Sequence, residues 1–407
     1  MSFALRETCI VPLSLLLFVE VLSIKDCCPK PLDPDAFRNV SQLITNRGYP
    51  VEEHYVTTLD NFILGIQRIP HGQAQRTQAQ AVPKPVVFLQ HGLLADSSNW
   101  VQNYPWDSLG YILADNGFDV WLGNIRGNRY SRSNLDLKPS HRKFWDWSFQ
   151  EMAQYDIPAM LEHVLKVSGQ TQLFYIGHSQ GTLIGFTEFS ANPELAKKVK
   201  LFIALAPIFY LNHTAAILRD LAFTLNPIEQ FLHPLGESEF LPGRVLQKLL
   251  DIGFCGGKWS EKVCYDIGEL VFGFDDINNN MSRVPVYLSN WPAGTSLKNI
   301  IHFGQLIVSG RCQKFDYGRK GNRQHYNQDT PPVYDATKMT TPTVLFFGGH
   351  DTLANKTDVE ALKSKLSHLK YYEYLSKWNH IDFVFGINAK ETLYDKLVDI
   401  IKGALLA

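Results

Sequence analysis

The stretch YIGHSQGTL, residues 175–183, is the strongest indication of the fold in this sequence. Ser179 stands between Gly177 and Gly181, directly after the apolar run 173–176 and before a helical pattern that starts at Gln180. A strand-to-helix turn this sharp strains its central residue, and side chains in place of the two glycines would collide with the neighbouring strand and helix. The pattern therefore predicts that Ser179 is a nucleophile presented at the edge of a sheet.

Short apolar runs bounded by glycine or polar turns recur along the chain. They predict strands at 86–89, 118–122, 173–176, 201–205, 344–347 and 371–375. Two further strands are predicted at 51–57 and 62–69, joined by a turn at 59–61. Helical patterns lie between them: one opened by a capping box at Ser148 and Glu151 and running to about 167, one at 180–191, and a last one at 391–405. Apolar runs without polar alternation, separated by helices, indicate parallel strands covered on both faces. The prediction is an open, doubly wound α/β sheet, in which ligands bind beyond the carboxyl ends of the strands.

The region 209–334 breaks this alternation, because it contains no clear buried strand. It carries amphipathic stripes instead, formed by Ile217, Leu218, Leu221, Ala222 and Leu225, by Val245, Leu246, Leu249 and Leu250, and by Ile267, Leu270, Val271 and Phe274. These stripes predict a mostly helical insertion between two core strands. We interpret it as a cap over the carboxyl ends of the strands, above Ser179; the alternative is a helical domain with a purely structural role. The predicted core is then residues 24–208 and 335–407.

The start of the chain indicates a secretory protein, and its overall charge bears on its partners. Residues 1–23 have Arg6, an apolar run over about 10–19, and the small residues Val21 and Ser23 before a cleavage point after Ser23, which is the pattern of a cleaved signal peptide. The alternative is a membrane anchor, but Glu20 ends the run before it is long enough to span a bilayer. The remaining chain has no comparable stretch and is expected to be soluble. A formal net charge of −1 without a long basic run argues against nucleic-acid binding.

The cysteines and the glycosylation sequons are consistent with a secretory protein. Cys255 and Cys264 are separated by a plausible loop, and a bridge between them would contribute roughly 2.5–3 kcal/mol. Once the signal is removed, Cys27, Cys28 and Cys312 complete an odd set of five, so at least one thiol stays free or pairs with another chain. No cysteine or histidine spacing suggests a metal site. Sequons stand at four positions: Asn39, Asn212, Asn280 and Asn355.

A serine nucleophile requires a base and a group that orients the base. In this architecture both follow the serine in chain order, the acid first, each in a loop after a late strand. Asp351 follows the strand 344–347 and His380 follows the strand 371–375, so Ser179, Asp351 and His380 are the predicted triad.

Three nearby residues are weaker candidates for these roles. His350 adjoins Asp351 on the same loop and is badly placed to bridge it to Ser179. His178 is expected to point away from the hydroxyl and to pack. Asp382 comes after the histidine in the chain, which is the wrong order for the acid.

The same architecture predicts where the tetrahedral intermediate is held. One donor is the backbone N–H of Gln180, which follows the nucleophile, and the other comes from the loop after the strand 86–89. Leu93, in Gln90-His91-Gly92-Leu93-Leu94, is the candidate for the second donor. An ordinary strand-ending turn is the alternative interpretation of His91 and Gly92.

Seven segments together resemble the acid lipase family of gastric and lysosomal acid lipases. They are FLQHGLLADSSNW (88–100), GFDVWLGNIRGN (117–128), GHSQGT (177–182), NMSRVPVY (280–287), PAGTS (292–296), GGHD (348–351) and WNHIDF (378–383). The likeness runs from about residue 28 to near the C-terminus. Residues 209–236 show little likeness, and Phe272 stands where some members have a further cysteine.

The resemblance implies an α/β-hydrolase core with a helical cap and lid that hydrolyses acylglycerols or cholesteryl esters without a cofactor. It implies the same triad and oxyanion donors, and a cap disulfide between Cys255 and Cys264. Three functions are compared: a secreted or lysosomal lipase acting on lipid esters at a lipid–water interface; an esterase or acyltransferase for smaller acyl esters; and a lipid-binding protein without catalysis. The presence of every triad member and both glycines favours an enzyme.

Overall fold

The computed structural model describes residues 33–75, 83–215, 219–220, 238–241 and 278–406. Several predicted features lie outside these residues: the signal peptide, the predicted Cys255–Cys264 pair, Cys27 and Cys28, and the three amphipathic stripes of the predicted cap. Within them, no helix is both long and apolar enough to cross a bilayer.

The described strands confirm every strand predicted from the sequence. They are β1 Glu52–Thr57, β2 Phe62–Ile69, β3 Val86–Gln90, β4 Asp119–Gly123, β5 Ser133–Asn134, β6 Leu173–His178, β7 Val199–Leu205, β8 Glu239–Phe240, β9 Thr295–Ser296, β10 Thr343–Gly348 and β11 Leu369–Leu375. The three short strands β5, β8 and β9 were not predicted. Strands of two residues carry too few side chains to produce a recognisable alternation.

One large sheet organises the described chain. Its order is β1-β2-β4-β3-β6-β7-β10-β11, with β5 paired to β2. The pairs from β4 to β11 are parallel, and β1 and β2 join antiparallel at one edge. Strands β3, β4, β6 and β10 are buried along their whole length, as expected when helices cover both faces. The doubly wound α/β prediction is confirmed.

Helices lie between and beside the strands. The α-helices are α1 Val40–Asn46, α2 Leu109–Asp115, α3 Phe149–Glu151, α4 Ile157–Ser168, α5 Gln180–Ala191, α6 Pro193–Ala196, α7 Val284–Asn290, α8 Leu297–Ser309, α9 Gly318–Tyr326, α10 Lys356–Lys363, α11 Asp382–Phe385 and α12 Asp395–Leu406. Two π-helical turns, Met152–Asp156 and Lys390–Tyr394, adjoin α4 and α12. The predicted capping box is present, since the side chain of Glu151 accepts a hydrogen bond from the Ser148 backbone N–H at 2.7 Å.

The inserted region between β7 and β10 contains α7, α8 and α9 and the β8–β9 pair among its described residues. These elements contact loops at the carboxyl ends of the core strands. Ala293 N–H donates to Leu94 O at 2.6 Å, and Arg129 Nη1 donates to Ser289 O at 3.3 Å. This position fits the predicted cap, whose limits at 209 and 334 stay a prediction.

A buried arginine joins three parts of the core. Arg126, in the loop after β4, donates to Asp156 Oδ1 from Nη2 at 2.7 Å and to Asp60 Oδ2 from Nη1 at 2.5 Å. Its guanidinium also lies over the Phe62 ring, 4.2 Å from the centroid. Asp156 belongs to the π-helical turn before α4, and Asp60 to the turn between β1 and β2. One side chain therefore connects the hairpin, the loop after β4 and the helix that follows.

Replacing Arg126 by methionine is expected to lower the free energy of unfolding by about 3–5 kcal/mol, because the Asp156 carboxylate would stay buried without its partner. Urea unfolding followed by circular dichroism measures the change. Arg319→Met is the matched control: its ion pair with Asp329 is exposed, and its loss is expected to change stability by less than about 1 kcal/mol. The double variant Arg126→Met/Asp156→Asn should recover part of the loss. Equal stability of both arginine variants would contradict the assignment.

Candidate active site

Ser179 occupies the sharp turn between β6 and α5 that the sequence predicts. Its backbone has φ 54° and ψ −121°, a left-handed conformation that is strained for a residue with a side chain. A Cβ on Gly177 would lie 2.6 Å from Gly181 O, and a Cβ on Gly181 would lie 2.4 Å from Gln90 O. Both positions therefore require glycine for steric reasons. The turn is held by the Ser179 N–H, which donates to Leu205 O at 3.1 Å.

The structure brings Ser179, His380 and Asp351 together. His380 Nε2 lies 2.7 Å from Ser179 Oγ, and His380 Nδ1 lies 2.8 Å from Asp351 Oδ2. All three side chains are buried. In this arrangement an imidazole can take the hydroxyl proton while the carboxylate fixes its tautomer and stabilises the imidazolium that forms.

Asp351 is oriented by the backbone of its own loop, which follows β10. Its Oδ1 accepts hydrogen bonds from Leu353 N–H at 2.9 Å and Ala354 N–H at 2.7 Å. These two bonds direct the other oxygen, Oδ2, at His380. The neighbouring His350 is exposed, and it is His380 that lies between Asp351 and Ser179.

Asp382 braces the loop that carries His380. Its Oδ2 accepts from Asn379 N–H at 2.7 Å, while Asn379 Oδ1 accepts from Ile381 N–H at 2.9 Å and Asp382 N–H at 3.1 Å. The reciprocal bonds between residues 379 and 382 resemble a capping box at the start of α11. The Asn-x-x-Asp spacing in the sequence is the pattern from which these bonds between residues 379 and 382 could have been predicted.

His178 packs as expected, and its ring also makes a hydrogen bond that the sequence does not predict. It is buried, and its Nε2 lies 2.8 Å from the backbone oxygen of His380. Burial, more than the neighbouring charge of His380, lowers the pKa of His178 to about 3. The ring is therefore neutral near neutral pH and donates its Nε2–H to the carbonyl. The bond joins residues 202 positions apart, a separation that no local sequence pattern can reveal.

The loop after β3 passes directly beside Ser179. A Cβ on Gly92 would lie 3.0 Å from Ser179 Cβ, so glycine allows this close approach. His91 holds the loop from below: its Nδ1 lies 2.9 Å from Gly92 O, and its Nε2 lies 3.1 Å from Asn128 Nδ2. Burial lowers the pKa of His91 to about 4, so the ring is neutral near neutral pH, with Nδ1 as donor and Nε2 as acceptor. This network was not predicted.

Gln180 is the first residue of α5, where backbone N–H groups lack partners within the helix. Its side chain is fixed by the inserted region, since Asn299 Nδ2 of α8 donates to Gln180 Oε1 at 2.7 Å. Asn299 Oδ1 also accepts from Phe149 N–H at 2.8 Å. The two predicted oxyanion residues, Leu93 and Gln180, thus lie on the loop and the helix that adjoin Ser179. Asn299 was missed, because nothing in the sequence associates it with residue 180.

The four sequons and one cysteine can be located in the structure. Asn39 and Asn212 are exposed, whereas Asn280 and Asn355 are half-buried. Asn39 and Asn355 also cap α1 and α10. Cys312 is buried as a free thiol, and burial raises its pKa well above the usual value, so its thiolate is disfavoured.

The fold and this site define an α/β hydrolase with a serine, histidine and aspartate arranged in that order of contact. The same class is found by comparison: residues 40–104 match the family described as partial alpha/beta-hydrolase lipase region, and residues 85–231 match the alpha/beta hydrolase fold. A solved structure of a soluble variant of monoglyceride lipase from Saccharomyces cerevisiae superposes with a TM-score of 0.54 at 15% identity, covering 87% of this chain and 95% of that one. At this identity the match supports the fold alone.

Relatives that match over most of their length identify the family within this class. The chain is 44% identical to the human lysosomal acid lipase/cholesteryl ester hydrolase over 372 residues, which is 91% of this chain and 92% of the relative. It is 43% identical to the human gastric triacylglycerol lipase, with the same coverage. The protein belongs to the acid lipase family of gastric and lysosomal acid lipases, as the resemblance of its motifs implied.

Proposed function

We propose that the protein is a lipase that hydrolyses the carboxylic ester bonds of neutral lipids, acylglycerols and cholesteryl esters among them. The observation that carries the proposal is the continuous contact from Ser179 Oγ through His380 to Asp351 at 2.7 and 2.8 Å, in a chain of the acid lipase family. The names of its relatives, a cholesteryl ester hydrolase and a triacylglycerol lipase, support the substrate class.

In the proposed reaction, Ser179 Oγ attacks the ester carbonyl carbon as its proton moves to His380 Nε2. The negative charge on the former carbonyl oxygen is held by the N–H groups of Leu93 and Gln180. The C–O bond then breaks, and the departing alcohol takes the proton from His380. Water attacks the acyl-enzyme in the same manner, giving up a proton to His380, so that the fatty acid leaves and Ser179 Oγ–H is restored. Asp351 stays ionised throughout and orients the imidazole.

An apolar acyl chain is the part of a lipid that the proposed cap would bind. Each methylene removed from water contributes about 0.8 kcal/mol, so a fatty-acid tail supplies several kcal/mol without polar contacts. No cofactor is required for this chemistry. The alternative proposal, an esterase or acyltransferase for smaller acyl esters, uses the same triad and differs only in the pocket beneath the cap.

A substrate panel tests the proposal. Purified protein is assayed on emulsified long-chain triacylglycerol, on cholesteryl oleate and on a short-chain ester below and above its solubility limit. A lipase is expected to turn over the long-chain esters, with a rate that rises when the short-chain ester forms droplets. Turnover confined to the dissolved short-chain ester would favour the esterase, and transfer of the acyl group to an added alcohol in preference to water would favour the acyltransferase.

The site of action that we propose is the extracellular space or the lysosomal lumen. The signal-like residues 1–23 and the four sequons support passage through the secretory pathway. Asn39 and Asn212 are the best candidates for glycosylation, because they are the exposed members of the set.

A further inference from the structure

We propose that His178 is a positioning residue for His380: its ring holds the backbone of the base, and thereby keeps the imidazole within reach of Ser179. The proposal rests on the lipase function proposed above, since it assigns a role within the same reaction. It concerns a residue whose neighbour in the chain is the nucleophile and whose hydrogen-bond partner is the base.

Three hydrogen bonds converge on His380, and only two of them involve its side chain. Nδ1 contacts Asp351 and Nε2 contacts Ser179, while the backbone oxygen lies 2.8 Å from His178 Nε2. The rings of His178 and His380 are also close, with centroids 5.1 Å apart. The two bonds to the His380 ring leave the backbone of His380 free to shift. The third bond, from His178 to the backbone oxygen, restricts that shift.

The position of His178 in the sheet makes this bond a direct link between nucleophile and base. His178 ends β6, whereas His380 follows β11, and β7 and β10 lie between those strands in the sheet. The bonds between Asn379 and Asp382 fix the base loop internally, but they do not join it to the turn that carries Ser179. The bond from His178 does so, one residue away from the attacking oxygen.

The surroundings of His178 favour a neutral ring with its proton on Nε2. Its Nδ1 has no hydrogen-bond partner within the described residues and is buried, so a proton there would have no acceptor. This nitrogen lies 3.2 Å from the position that a Gly92 Cβ would occupy, which leaves little room beside it. With a pKa near 3, the ring adds no positive charge next to the imidazolium that forms on His380 during the reaction.

Loss of this donor would leave the carbonyl of His380 without the partner that the structure provides. Because buried carbonyl groups are nearly always hydrogen-bonded, the base loop would shift to satisfy it. Such a shift changes the distance between His380 Nε2 and Ser179 Oγ and slows proton transfer. It does not alter a substrate pocket, so the rate of the chemical step is expected to fall while KM stays nearly the same.

Two substitutions separate positioning from packing. His178→Met fills a similar volume but cannot donate a hydrogen bond, whereas His178→Gln retains an N–H donor at a comparable reach. On a soluble ester, we expect the methionine variant to lose about tenfold in kcat with KM within about twofold, as for the loss of one hydrogen bond. The glutamine variant should stay within about threefold of the parent. The rate at which an organophosphonate modifies Ser179 should follow kcat in both variants.

Thr343→Val is the matched control. Thr343 is the first residue of β10 and lies at the amino ends of the strands, opposite the ends that carry the site. Its buried hydroxyl donates to Thr341 O at 2.9 Å. The change therefore removes one buried hydrogen bond to a carbonyl away from the site. Its melting temperature is expected to fall while its kcat stays unchanged. If His178→Met does not fold, His178→Asn replaces it, because the shorter amide cannot reach the carbonyl of His380.

The proposal is overturned if kcat of the variant without a donor stays within twofold of the parent, if the glutamine variant loses as much as the methionine variant, or if the loss lies in KM alone. These results would leave the lipase function intact. That function would fail separately, if Ser179→Ala retained full turnover.

Discussion

Ser179→Ala is expected to lower kcat for ester hydrolysis by about 10⁵–10⁶-fold, because Ser179 Oγ is the hydroxyl that contacts His380 and would form the acyl-enzyme. The substitution removes only the hydroxyl group and leaves the glycines of the turn unchanged, so we expect the fold to be unaffected. A fluorogenic ester measures the loss, and an organophosphonate that titrates reactive serines should no longer label the protein.

Ser190→Ala provides the control for this experiment. Ser190 lies on the same helix, α5, and its buried hydroxyl donates to Thr187 O at 3.1 Å, away from His380. The control variant should keep full activity and full labelling. More than about 1% residual turnover in Ser179→Ala, well above what binding and oxyanion contacts give on their own, would contradict the assignment of the nucleophile.

Asp351→Asn is expected to lower kcat by about 10³–10⁴-fold with little change in fold. The amide would present an N–H group toward His380 Nδ1, and the ring would then place its own proton on Nε2. A ring protonated on Nε2 cannot accept the proton of Ser179. The pre-steady-state burst on a fluorogenic ester should slow in parallel, because acylation itself is affected.

Asp358→Asn is a closely matched control, since Asp358 is also buried and also contacts a histidine. Its Oδ1 lies 2.8 Å from His213 Nδ1, on a helix that follows the Asp351 loop. This variant is expected to lose stability without a loss in kcat. Similar kcat values for the two asparagine variants would show that the negative charge on Asp351 has no special role.

The core fold was predictable because its central strands are apolar and buried along their length, and because helical patterns separate them in the chain. Helix α5 begins at Gln180 and ends at Ala191, as the pattern predicted, and the turn at Ser179 has the backbone strain that the flanking glycines indicate. The relative positions of Ser179, Asp351 and His380 could be inferred because parallel strands present their carboxyl ends at one edge. Chain order then distinguished Asp351 from Asp382.

The contacts that support the triad could not be predicted in the same way. The bonds from His178 to His380, from Asn128 to His91 and from Asn299 to Gln180 each join residues far apart in the chain. Single polar residues of this kind have no periodicity, and their partners are determined by tertiary packing. The short strands β8 and β9 could not be predicted for a related reason, because they form only through pairing between distant segments.

The order of strands in the sheet has a consequence for biosynthesis. Strand β10 pairs with β7 only after the whole insertion between them has been made, and His380 follows β10 and β11 in the chain. A ribosome-bound nascent chain that ends before residue 380 already contains the serine but has no base to activate it. We therefore expect hydrolytic activity to arise only after residue 380 has been translated and its loop has folded against the turn that carries Ser179.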